Sequence, residues 1–343
     1  MATAPRTDTN SPAGESKEEC AVMQLSTKIH VAGHSGLAGG AIVRQLRAQG
    51  YANLLTPTHR QLDLEDPIAT RRFLAEERPE VVFLAAGHVG GIAANNSYPV
   101  DFLLRNLRIA TNVVESAHAA GVRRLIFLGS SCIYPRDCPQ PIREEYLLTG
   151  ALEATNRPYA LAKIAGIEAC WAFNRQHGAR FLAAMPTNLY GLGDNYDLES
   201  SHVLPALIRK IHEAKQAGRD EVVLWGSGTP RREFLHADDL ARALIFLAGL
   251  DETRFGQLVD PAVCPLINVG SGIDQTIREL AETVAEVVGF RGHFVHDRSK
   301  PDGTPRKVMD VSRIRALGWQ PATDLRTGLA AAYEDFLHGN VRR

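Results

Sequence analysis

Three glycines near the start of the sequence constrain the fold more than any other feature. Gly33, Gly36 and Gly39 follow the apolar run Lys28–Ala32 and precede the helical spacing of Ala41–Gln49. In a strand–turn–helix unit, glycines at these positions permit a tight turn, let a pyrophosphate approach the backbone, and let the helix pack closely on the strand. The helix N-terminus then offers unpaired N–H groups to the phosphates. The pattern favours a dinucleotide-binding unit over a turn that is merely tight.

Further apolar runs alternate with helical patterns as far as Pro186, which indicates parallel strands covered by helices on both faces. The additional predicted strands are Asn53–Thr56, Val81–Leu84, Leu125–Leu128 and Phe181–Met185. The additional predicted helices are Pro67–Glu77, Asp101–Ala119 and Tyr159–Gln176. The sequence therefore predicts an α/β fold with a Rossmann-type doubly wound parallel sheet.

The regular alternation stops after Pro186. The later predicted elements are a helix at Val203–Gln216, a strand at Val222–Trp225, a helix at Asp238–Leu247, a strand at Leu266–Val269 and a helix at Ile277–Val288. We predict a disordered tail over 1–26, a dinucleotide-binding Rossmann domain over 27–186, and a smaller C-terminal α/β lobe over 187–343. This lobe mainly binds substrate, and some of its segments are expected to return to the Rossmann domain.

Composition excludes several classes of function. The formal net charge of -1 over 343 residues provides no broad basic surface, so we expect no nucleic-acid binding. No apolar stretch approaches the roughly 20 residues of a membrane helix, and residues 1–26 lack the apolar core of a secretory signal. The five cysteines form no Cys-x-x-Cys pair, and no histidine lies at metal-ligand spacing from a second His or Cys. We therefore expect a cytoplasmic protein with reduced thiols and no metal.

The end of the second predicted strand indicates which dinucleotide is bound. An acidic residue there would bind the ribose 2′-hydroxyl of NAD, whereas a basic residue would accommodate the 2′-phosphate of NADP. The sequence reads TPTHRQLDL, with His59 and Arg60 but no acid at the strand end. Asp63 comes too late for the ribose and is expected near the adenine. These residues favour NADP(H).

A strand-end serine and a tyrosine–lysine pair indicate the chemistry. Tyr159 and Lys163 are spaced i, i+4, so they lie on one face of a predicted helix. A lysine ammonium beside a phenol lowers the tyrosine pKa from its ordinary value of about 10, which would let Tyr159 exchange protons near neutral pH. Ser130 ends a preceding strand at the edge where a nicotinamide is expected. The alternative to a catalytic pair is a Lys163 side chain that is merely solvated and a Tyr159 side chain that is merely packed. The combination resembles the extended short-chain dehydrogenase/reductase family.

Longer motifs narrow this resemblance. The segments are AGHSGLAGGAIVRQL, VGGIAANNSYPVDF, FLGSSCIYP, PYALAKIAGIEAC, MPTNLYGLGDNYD, SHVLPALIRKIHEA, VVLWGSGTPRREFLHADDLA and SKPDGTPRK. From about Lys28 to about Phe336, the chain is similar to the GDP-L-fucose synthase family. The resemblance implies a homodimer that takes GDP-4-keto-6-deoxy-D-mannose, epimerises C3 and C5, and reduces the C4 ketone with NADPH.

The resemblance assigns Cys132 and His202 as the acid–base pair of the epimerisation. The C3 and C5 protons are acidic because both carbons adjoin the C4 carbonyl, and inversion needs a base on one face of the sugar and an acid on the other. Thiols and imidazoles ordinarily titrate close to neutral pH, which suits this exchange. Ser130 and Tyr159 would bond O4 of the enolate, and Tyr159 would protonate O4 during reduction. Lys163 would keep the phenol acidic and bond the nicotinamide ribose. Alternatively, Cys132 is a core thiol and His202 a capping or surface residue.

The resemblance also implies the ligand-binding residues. Those for the cofactor are Gly33, His34, Ser35, Gly36, Leu37, Ala38, Gly39, His59, Arg60, Asp63, Leu64, Leu128, Gly129, Ser130, Ser131, Tyr159, Lys163, Pro186, Thr187, Asn188, Leu189 and His202. Those for the GDP-sugar are Lys210, Trp225, Arg232 and Asp302. The planar guanidinium of Arg232 suits a pyrophosphate, and Trp225 could cover the guanine or the sugar. The alternatives are a solvated surface for Lys210 and core packing for Trp225.

Three positions depart from the commoner pattern of the family. Ser35 and His59 stand where arginine is frequent, and His88 stands where lysine is common. The first two positions are expected near the 2′-phosphate, so the departures weaken the preference for NADP without creating an acid that selects NAD. Two other functions remain open: a related enzyme such as a GDP-L-colitose synthase, and a non-catalytic dinucleotide-sensing module. Such modules commonly lack the tyrosine or the lysine, and both are present here.

Overall fold

The computed structural model of the chain describes residues 23–198, 200–299 and 302–339. Most of the predicted tail, including Cys20, lies outside these residues. The strands are β1 (Ile29–Ala32), β2 (Leu54–Leu55), β3 (Val81–Leu84), β4 (Arg124–Leu128), β5 (Phe181–Pro186), β6 (Asn188–Tyr190), β7 (Glu221–Trp225), β8 (Arg231–His236), β9 (Leu266–Val269), β10 (Asp274–Thr276), β11 (His293–Asp297) and β12 (Arg306–Lys307). The helices are α1 (Leu37–Ala48), α2 (Pro67–Glu77), α3 (Ile92–Ser97), α4 (Pro99–Ala119), α5 (Arg157–His177), α6 (Val203–Gln216), α7 (Ala237–Ala248), α8 (Glu252–Leu258), α9 (Ile277–Val288), α10 (Ser312–Ala316) and α11 (Leu325–Leu337).

The main sheet has the strand order β2-β1-β3-β4-β5-β9, and every pairing in it is parallel. The residues of β1, β3, β4, β5 and β9 are all buried, because helices cover both faces of the sheet. Helix α1 packs against α7 in one layer, while α2, α4 and α5 pack side by side in the other. The predicted α/β class with a doubly wound parallel sheet is therefore confirmed.

Strands β1 and β3 are neighbours in this sheet, although β2 lies between them in sequence. The chain therefore leaves β1 in one direction and later returns to its other side, which creates the topological switch point of the sheet. Ligands of open α/β sheets bind outside the carboxyl ends of the strands at such a point. The glycine-rich turn directly follows β1, so the fold places it at this position.

Apart from α1, every predicted element begins and ends within two residues of its bounds in the structure. Helix α1 begins at Leu37, four residues before the predicted start at Ala41, because Gly36 is its N-cap and Gly39 and Gly40 lie in its first turn. Strand β2 has two residues instead of the four of Asn53–Thr56, since it lies at the edge of the sheet and pairs only with β1. Helix α2 has the predicted bounds, which a side-chain cap explains: Asp66 accepts hydrogen bonds from the backbone N–H groups of Ile68 and Ala69.

A second group of elements surrounds a smaller core. Strand β8 pairs with β6, β10 and β12, while β7 pairs in parallel with β11. Helices α6, α9 and α11 supply most of the buried side chains of this core, such as Ile208, Leu280 and Leu329. Strand β9 follows several of these elements in sequence but forms the sixth strand of the main sheet. The chain therefore passes between the two groups more than once.

None of the helices in the described part of the chain is long and apolar enough to cross a membrane.

Candidate active site

The glycine-rich turn has the close packing that a dinucleotide phosphate requires. Gly33 has a φ of 82°, and a Cβ on it would lie 2.6 Å from the backbone of Ala86 after β3. A Cβ on Gly39 would overlap the carbonyl oxygen of Gly33, so only glycine lets α1 begin this close to β1. Gly36 is the N-cap of α1 and offers no side-chain cap, which leaves the first N–H groups of the helix for a ligand. These features fit a dinucleotide pyrophosphate.

The other residues of this turn differ in exposure. Ser35 is exposed, whereas Leu37 and Ala38 are partly buried and pack against the main core. The His34 ring is partly buried, and its pKa is lowered by desolvation and by the nearby Arg47 guanidinium.

The segment after β2 places two predicted cofactor residues at the surface. His59 and Arg60 are exposed in a turn. Asp63 is also exposed, and its carboxylate accepts a hydrogen bond from the Glu65 backbone N–H at 2.9 Å. Leu64 is partly buried against the core. Asp63 therefore stabilises the local turn, and its predicted place near an adenine stays a prediction.

The carboxyl end of β4 carries the serine and the cysteine. Gly129 and Ser131 are buried, and Ser131–Ile133 forms a short 3-10 turn. The Ser130 hydroxyl accepts a hydrogen bond from the Cys132 backbone N–H at 3.3 Å. This contact holds the Ser130 side chain against the Cys132 backbone where the strand ends.

Helix α5 brings Tyr159 and Lys163 to the same edge of the sheet, and both side chains are buried. The Lys163 ammonium donates to the carbonyl of Leu128, the last residue of β4, at 2.8 Å. It also lies 5.0 Å from the centre of the Phe127 ring and 5.8 Å from the centre of the Tyr159 ring. The structure therefore brings Ser130, Cys132, Tyr159 and Lys163 together, as the sequence predicted.

One electrostatic expectation is wrong for this structure. Burial raises the pKa of Tyr159, and the nearby Cys132 sulfur raises it further, whereas a hydrogen bond with Ser130 acts in the opposite direction. The Lys163 ammonium is directed at the Leu128 carbonyl and is not among the groups that shift the Tyr159 pKa. Desolvation instead lowers the pKa of Lys163 from 10.5 to about 8.

Two residues beside the Cys132 sulfur were missed by sequence reasoning. The Asn156 side-chain amide donates to the sulfur at 3.3 Å, and the Lys307 ammonium lies 3.9 Å from it. Asn156 precedes Tyr159 by three residues, and Lys307 ends the motif SKPDGTPRK. Lys307 lies in a motif quoted above and Asn156 lies just before another, but only the fold shows that these side chains meet at one sulfur atom.

His202 is the N-cap residue of α6, with its backbone in an extended conformation. Part of the His202 residue is exposed to solvent. The surrounding protein nevertheless desolvates the imidazole ring, which lowers the His202 pKa. The preceding segment lies close to the end of β3, since the Gly91 backbone N–H donates to the Ser200 carbonyl at 3.2 Å. Helix α3, which follows Gly91, packs against the short helical turn that ends at Asn156. The pairing of His202 with Cys132 and its contact with a cofactor stay predictions.

The four predicted GDP-sugar residues lie around the ends of β7, β8 and β12. Trp225 is 61% exposed, so it is not a core residue, and the Lys210 ammonium lies 4.7 Å from the centre of its ring. Asp302 is exposed and accepts a hydrogen bond from the Ser227 backbone N–H at 2.6 Å, which lowers its pKa. Burial lowers the pKa of Arg232. The alternative of core packing for Trp225 is therefore wrong.

The segment from Pro186 to Leu189 joins the two groups of elements. Pro186 ends β5 in the main sheet, and Leu189 pairs with Leu235 of β8. The side chains of Thr187 and Asn188 both donate to the Glu233 carbonyl, at 3.1 and 2.8 Å. This segment therefore connects the main sheet to the strand that carries Arg232.

His88 follows β3 and contacts the buried Phe102 ring, with 4.6 Å between the ring centres. Phe102 in turn makes an edge contact with Tyr159 at 6.2 Å. The Asn106 side chain bonds the His88 backbone in both directions, at 2.9 and 3.0 Å. Desolvation and the nearby Arg105 lower the His88 pKa. Phe102 is therefore a further residue beside the tyrosine that sequence reasoning missed, and Asn106 fixes the backbone of the His88 that packs against it.

Among residues 23–198, 200–299 and 302–339, no group of three His, Cys, Asp or Glu side chains is placed to hold a metal ion.

Comparison with known proteins identifies the family of this chain. The model of the NAD dependent epimerase/dehydratase family matches residues 29–256. GDP-L-fucose synthase 1 of Arabidopsis thaliana is 54% identical over 95% of this chain and 98% of its own length. The chain belongs to the NAD dependent epimerase/dehydratase family. Within that family, the resemblance to the GDP-L-fucose synthases is confirmed.

Two other members of the family are more distant. GDP-L-colitose synthase of Yersinia pseudotuberculosis is 39% identical over 91% of this chain and 98% of its own length. The crystal structure of a GDP-L-fucose synthetase from Naegleria fowleri bound to NADP is 28% identical, with a TM-score of 0.83, and covers 92% of this chain and 94% of that chain. The relatives therefore span nearly the whole of the described structure.

Proposed function

We propose that this chain is a nucleotide-sugar epimerase and reductase that converts GDP-4-keto-6-deoxy-D-mannose to GDP-L-fucose. The observation that carries the proposal is the convergence of Ser130, Cys132, Tyr159 and Lys163 at the carboxyl end of β4. Serine, tyrosine and lysine suffice for a reductase, whereas a cysteine beside them adds a group suited to proton exchange. The 54% identity to a GDP-L-fucose synthase supports this choice of substrate.

The cofactor in this proposal is NADP(H), as the sequence predicted. The first turn of α1, with Gly33 and Gly39, would hold the pyrophosphate. His59 and Arg60 would meet the 2′-phosphate, since both are exposed after β2 and no acid ends that strand. The bound NADP in the Naegleria fowleri structure supports the same cofactor here. When bound, NADPH supplies the hydride for C4.

Epimerisation uses the acidity of the protons on C3 and C5. The Cys132 sulfur takes a proton from one face of the sugar, while His202 delivers one to the opposite face. The electron pair released from the C–H bond moves onto O4, where Ser130 and Tyr159 donate hydrogen bonds to the enolate. Desolvation lowers the pKa of His202, so its protonated ring releases a proton more readily than a freely solvated imidazole would.

Reduction uses the same oxygen. Tyr159 donates its phenolic proton to O4 as C4 is reduced, so its raised pKa describes a group that is protonated and ready to donate. Lys163 is charged below pH 8 and would bond the ribose of the cofactor. Lys210, Trp225, Arg232 and Asp302 would hold the GDP moiety, with Arg232 on the diphosphate.

We also propose a homodimer in the cytoplasm that takes no nucleic acid or membrane as a partner. Helices α4 and α5 pack against each other and still expose Leu104 and Leu161, at 40% and 45%. A second copy of these helices could cover the two leucines. Sedimentation analysis of wild type and of a Leu104→Lys, Leu161→Lys variant tests the dimer, which the variant should dissociate.

Product identification tests the proposed function. The purified protein is incubated with NADPH and GDP-4-keto-6-deoxy-mannose, and the sugar is identified by NMR. GDP-L-fucose is expected, whereas a reduced but unepimerised sugar would contradict the epimerase half. A parallel incubation with the 3-deoxy substrate of a colitose-type enzyme tests the alternative that this chain acts like the 39% identical GDP-L-colitose synthase. If no 4-keto nucleotide sugar oxidises NADPH, the chain is instead a dinucleotide-sensing module.

A further inference from the structure

Lys307 lies beside the Cys132 sulfur, although 175 residues separate them in sequence. The Lys307 ammonium is 3.9 Å from the sulfur, and the Asn156 amide is 3.3 Å from it. Both groups are hydrogen-bond donors, and the lysine adds a positive charge. An anionic sulfur is stabilised by both contacts, whereas a neutral thiol gains little from the charge.

The backbone around Lys307 is fixed from both sides. Strand β12 pairs in parallel with β8, with Lys307 opposite Arg232. On the other side, the next residue, Val308, receives a hydrogen bond from the Ile142 backbone N–H at 2.8 Å and donates to the Gln140 side chain at 2.9 Å. Gln140 and Ile142 belong to the loop that follows Cys132. Strand β12 therefore connects Arg232, the candidate diphosphate-binding residue, to the loop that follows Cys132, the candidate base.

The charge of Lys307 is not neutralised by an acid. Neighbouring Arg306 forms an ion pair with Asp274 at 2.6 Å, but no carboxylate of the described chain lies within 4.0 Å of the Lys307 ammonium. The other ionisable groups around the pair are Tyr159, Arg232 and Cys138; burial raises the pKa of Cys138, while the Lys307 charge acts in the opposite direction. Among the described residues, the Lys307 ammonium therefore has the Cys132 sulfur as a neighbour at 3.9 Å and no carboxylate within 4.0 Å.

We propose that Lys307 is a positioning residue that holds Cys132 in its thiolate form for proton abstraction. This rests on the proposed function, because the thiolate is the form that accepts the proton of C3 or C5. In that step the C–H bond breaks, an S–H bond forms at Cys132, and the electron pair moves onto O4. Lys307 keeps all its protons and touches neither the sugar carbon nor the transferred hydrogen.

The test measures the ionisation of Cys132 without any substrate. The rate of alkylation of Cys132 by iodoacetamide is followed by mass spectrometry of its peptide from pH 5 to 10, in wild type, Lys307→Met and Lys307→Arg. A unit charge 3.9 Å away moves the midpoint of this titration by about one to three pH units, depending on the local dielectric. We expect Lys307→Met to raise the midpoint by at least about one pH unit and Lys307→Arg to restore most of it. The midpoint is compared rather than the rate itself, because the thiolate of a less acidic thiol is also a stronger nucleophile.

Arg306→Met is the matched control, since it removes a positive charge from the same strand at a residue paired with Asp274. Its midpoint should equal that of wild type. An unchanged midpoint in Lys307→Met would overturn the proposal. This holds even if the substitution raises the KM for the GDP-sugar, since that change alone would place Lys307 in substrate binding. If Lys307→Met does not fold, the wild-type midpoint decides: a value at or above the ordinary thiol value of about 8.5 would also overturn it. A shifted midpoint in a protein that forms no GDP-L-fucose would refute the proposed function and leave the thiolate assignment intact.

Discussion

Lys163→Met should make the protein more stable near neutral pH while it abolishes reduction. Lys163 is only 5% exposed, and desolvation lowers its pKa from 10.5 to about 8. At pH 7 the folded protein therefore holds a charged ammonium in surroundings that disfavour charge. Methionine has a similar length and fills the same space without a charge. Loss of activity is expected because the ribose of the cofactor would lose its proposed partner.

The size of the effect follows from the change in pKa. A fall from 10.5 to about 8 corresponds to about 3 kcal/mol, at 1.36 kcal/mol for each pKa unit. Methionine also loses the hydrogen bond to the Leu128 carbonyl, which costs about 1 kcal/mol. We therefore expect Lys163→Met to raise the free energy of unfolding at pH 7 by about 2 kcal/mol.

The sign of this difference depends on pH. Because the Lys163 pKa is lower in the folded state than in the unfolded chain, the unfolded chain binds more protons between pH 8 and pH 10.5. The stability of wild type therefore rises with pH across this window, and the variant lacks this contribution. Its advantage should shrink above pH 8 and become a deficit of about 1 kcal/mol by pH 10.5, where only the lost hydrogen bond remains.

Urea unfolding at pH 7, 8.5 and 10 measures the difference between variant and wild type. Other groups titrate equally in both proteins, so their contributions cancel. Lys215→Met is the matched control for a lost lysine–carbonyl bond, because partly exposed Lys215 donates to the Val288 carbonyl at 2.7 Å. This control should be less stable than wild type at pH 7. A difference for Lys163→Met that is destabilising at pH 7, or the same at every pH, would refute the reasoning.

Three further predictions concern the proposed reaction. The kcat/KM should be higher with NADPH than with NADH, and replacing His59 and Arg60 by Ala should erode the preference; equal values in wild type would contradict it. Arg232→Ala should mainly raise the KM for the GDP-sugar, because a diphosphate contact holds ground and transition states alike; a fall in kcat alone would place Arg232 in the chemistry. Cys132→Ser should stop solvent deuterium from entering C3 and C5 while slow hydride transfer persists, as mass spectrometry can show. Tyr159→Phe should stop reduction and slow the exchange roughly a hundredfold; full exchange in either variant would refute its assigned role.

The elements with strong local signals could be predicted from sequence. Helix α9, for instance, has the predicted bounds Ile277–Val288, because Thr276 and Glu279 form a capping box and Gly289 ends the helix in a left-handed conformation. Strand β8 gave no such signal, since it begins with Arg231 and Arg232 and contains a charged residue at its centre. That residue, Glu233, is fully buried and accepts backbone hydrogen bonds from Gly272 and Met309. Its partners are distant in sequence, so only the fold explains why a carboxylate is tolerated there.

The i, i+4 spacing of Tyr159 and Lys163 correctly predicted one helix face but not the contact between the side chains. Such spacing fixes the positions of the Cβ atoms, whereas the end of a long lysine side chain takes the best acceptor within reach. Here that acceptor is the Leu128 carbonyl at 2.8 Å. Burial, followed by the nearby Cys132 sulfur, raises the pKa of the phenol, contrary to the expectation that the ammonium would make it acidic.

The two halves of the proposed reaction draw on different parts of the fold. The groups for reduction, Ser130, Tyr159 and Lys163, all lie at the carboxyl end of β4 and on α5, so one strand–helix unit positions them. The surroundings of Cys132 also require Lys307 from β12, which is paired with the strand of Arg232. Proton exchange at carbon therefore depends on both groups of elements, whereas protonation of O4 depends on one. This difference is the physical reason to expect that changes at Cys132 separate the two halves, while changes at Tyr159 affect both.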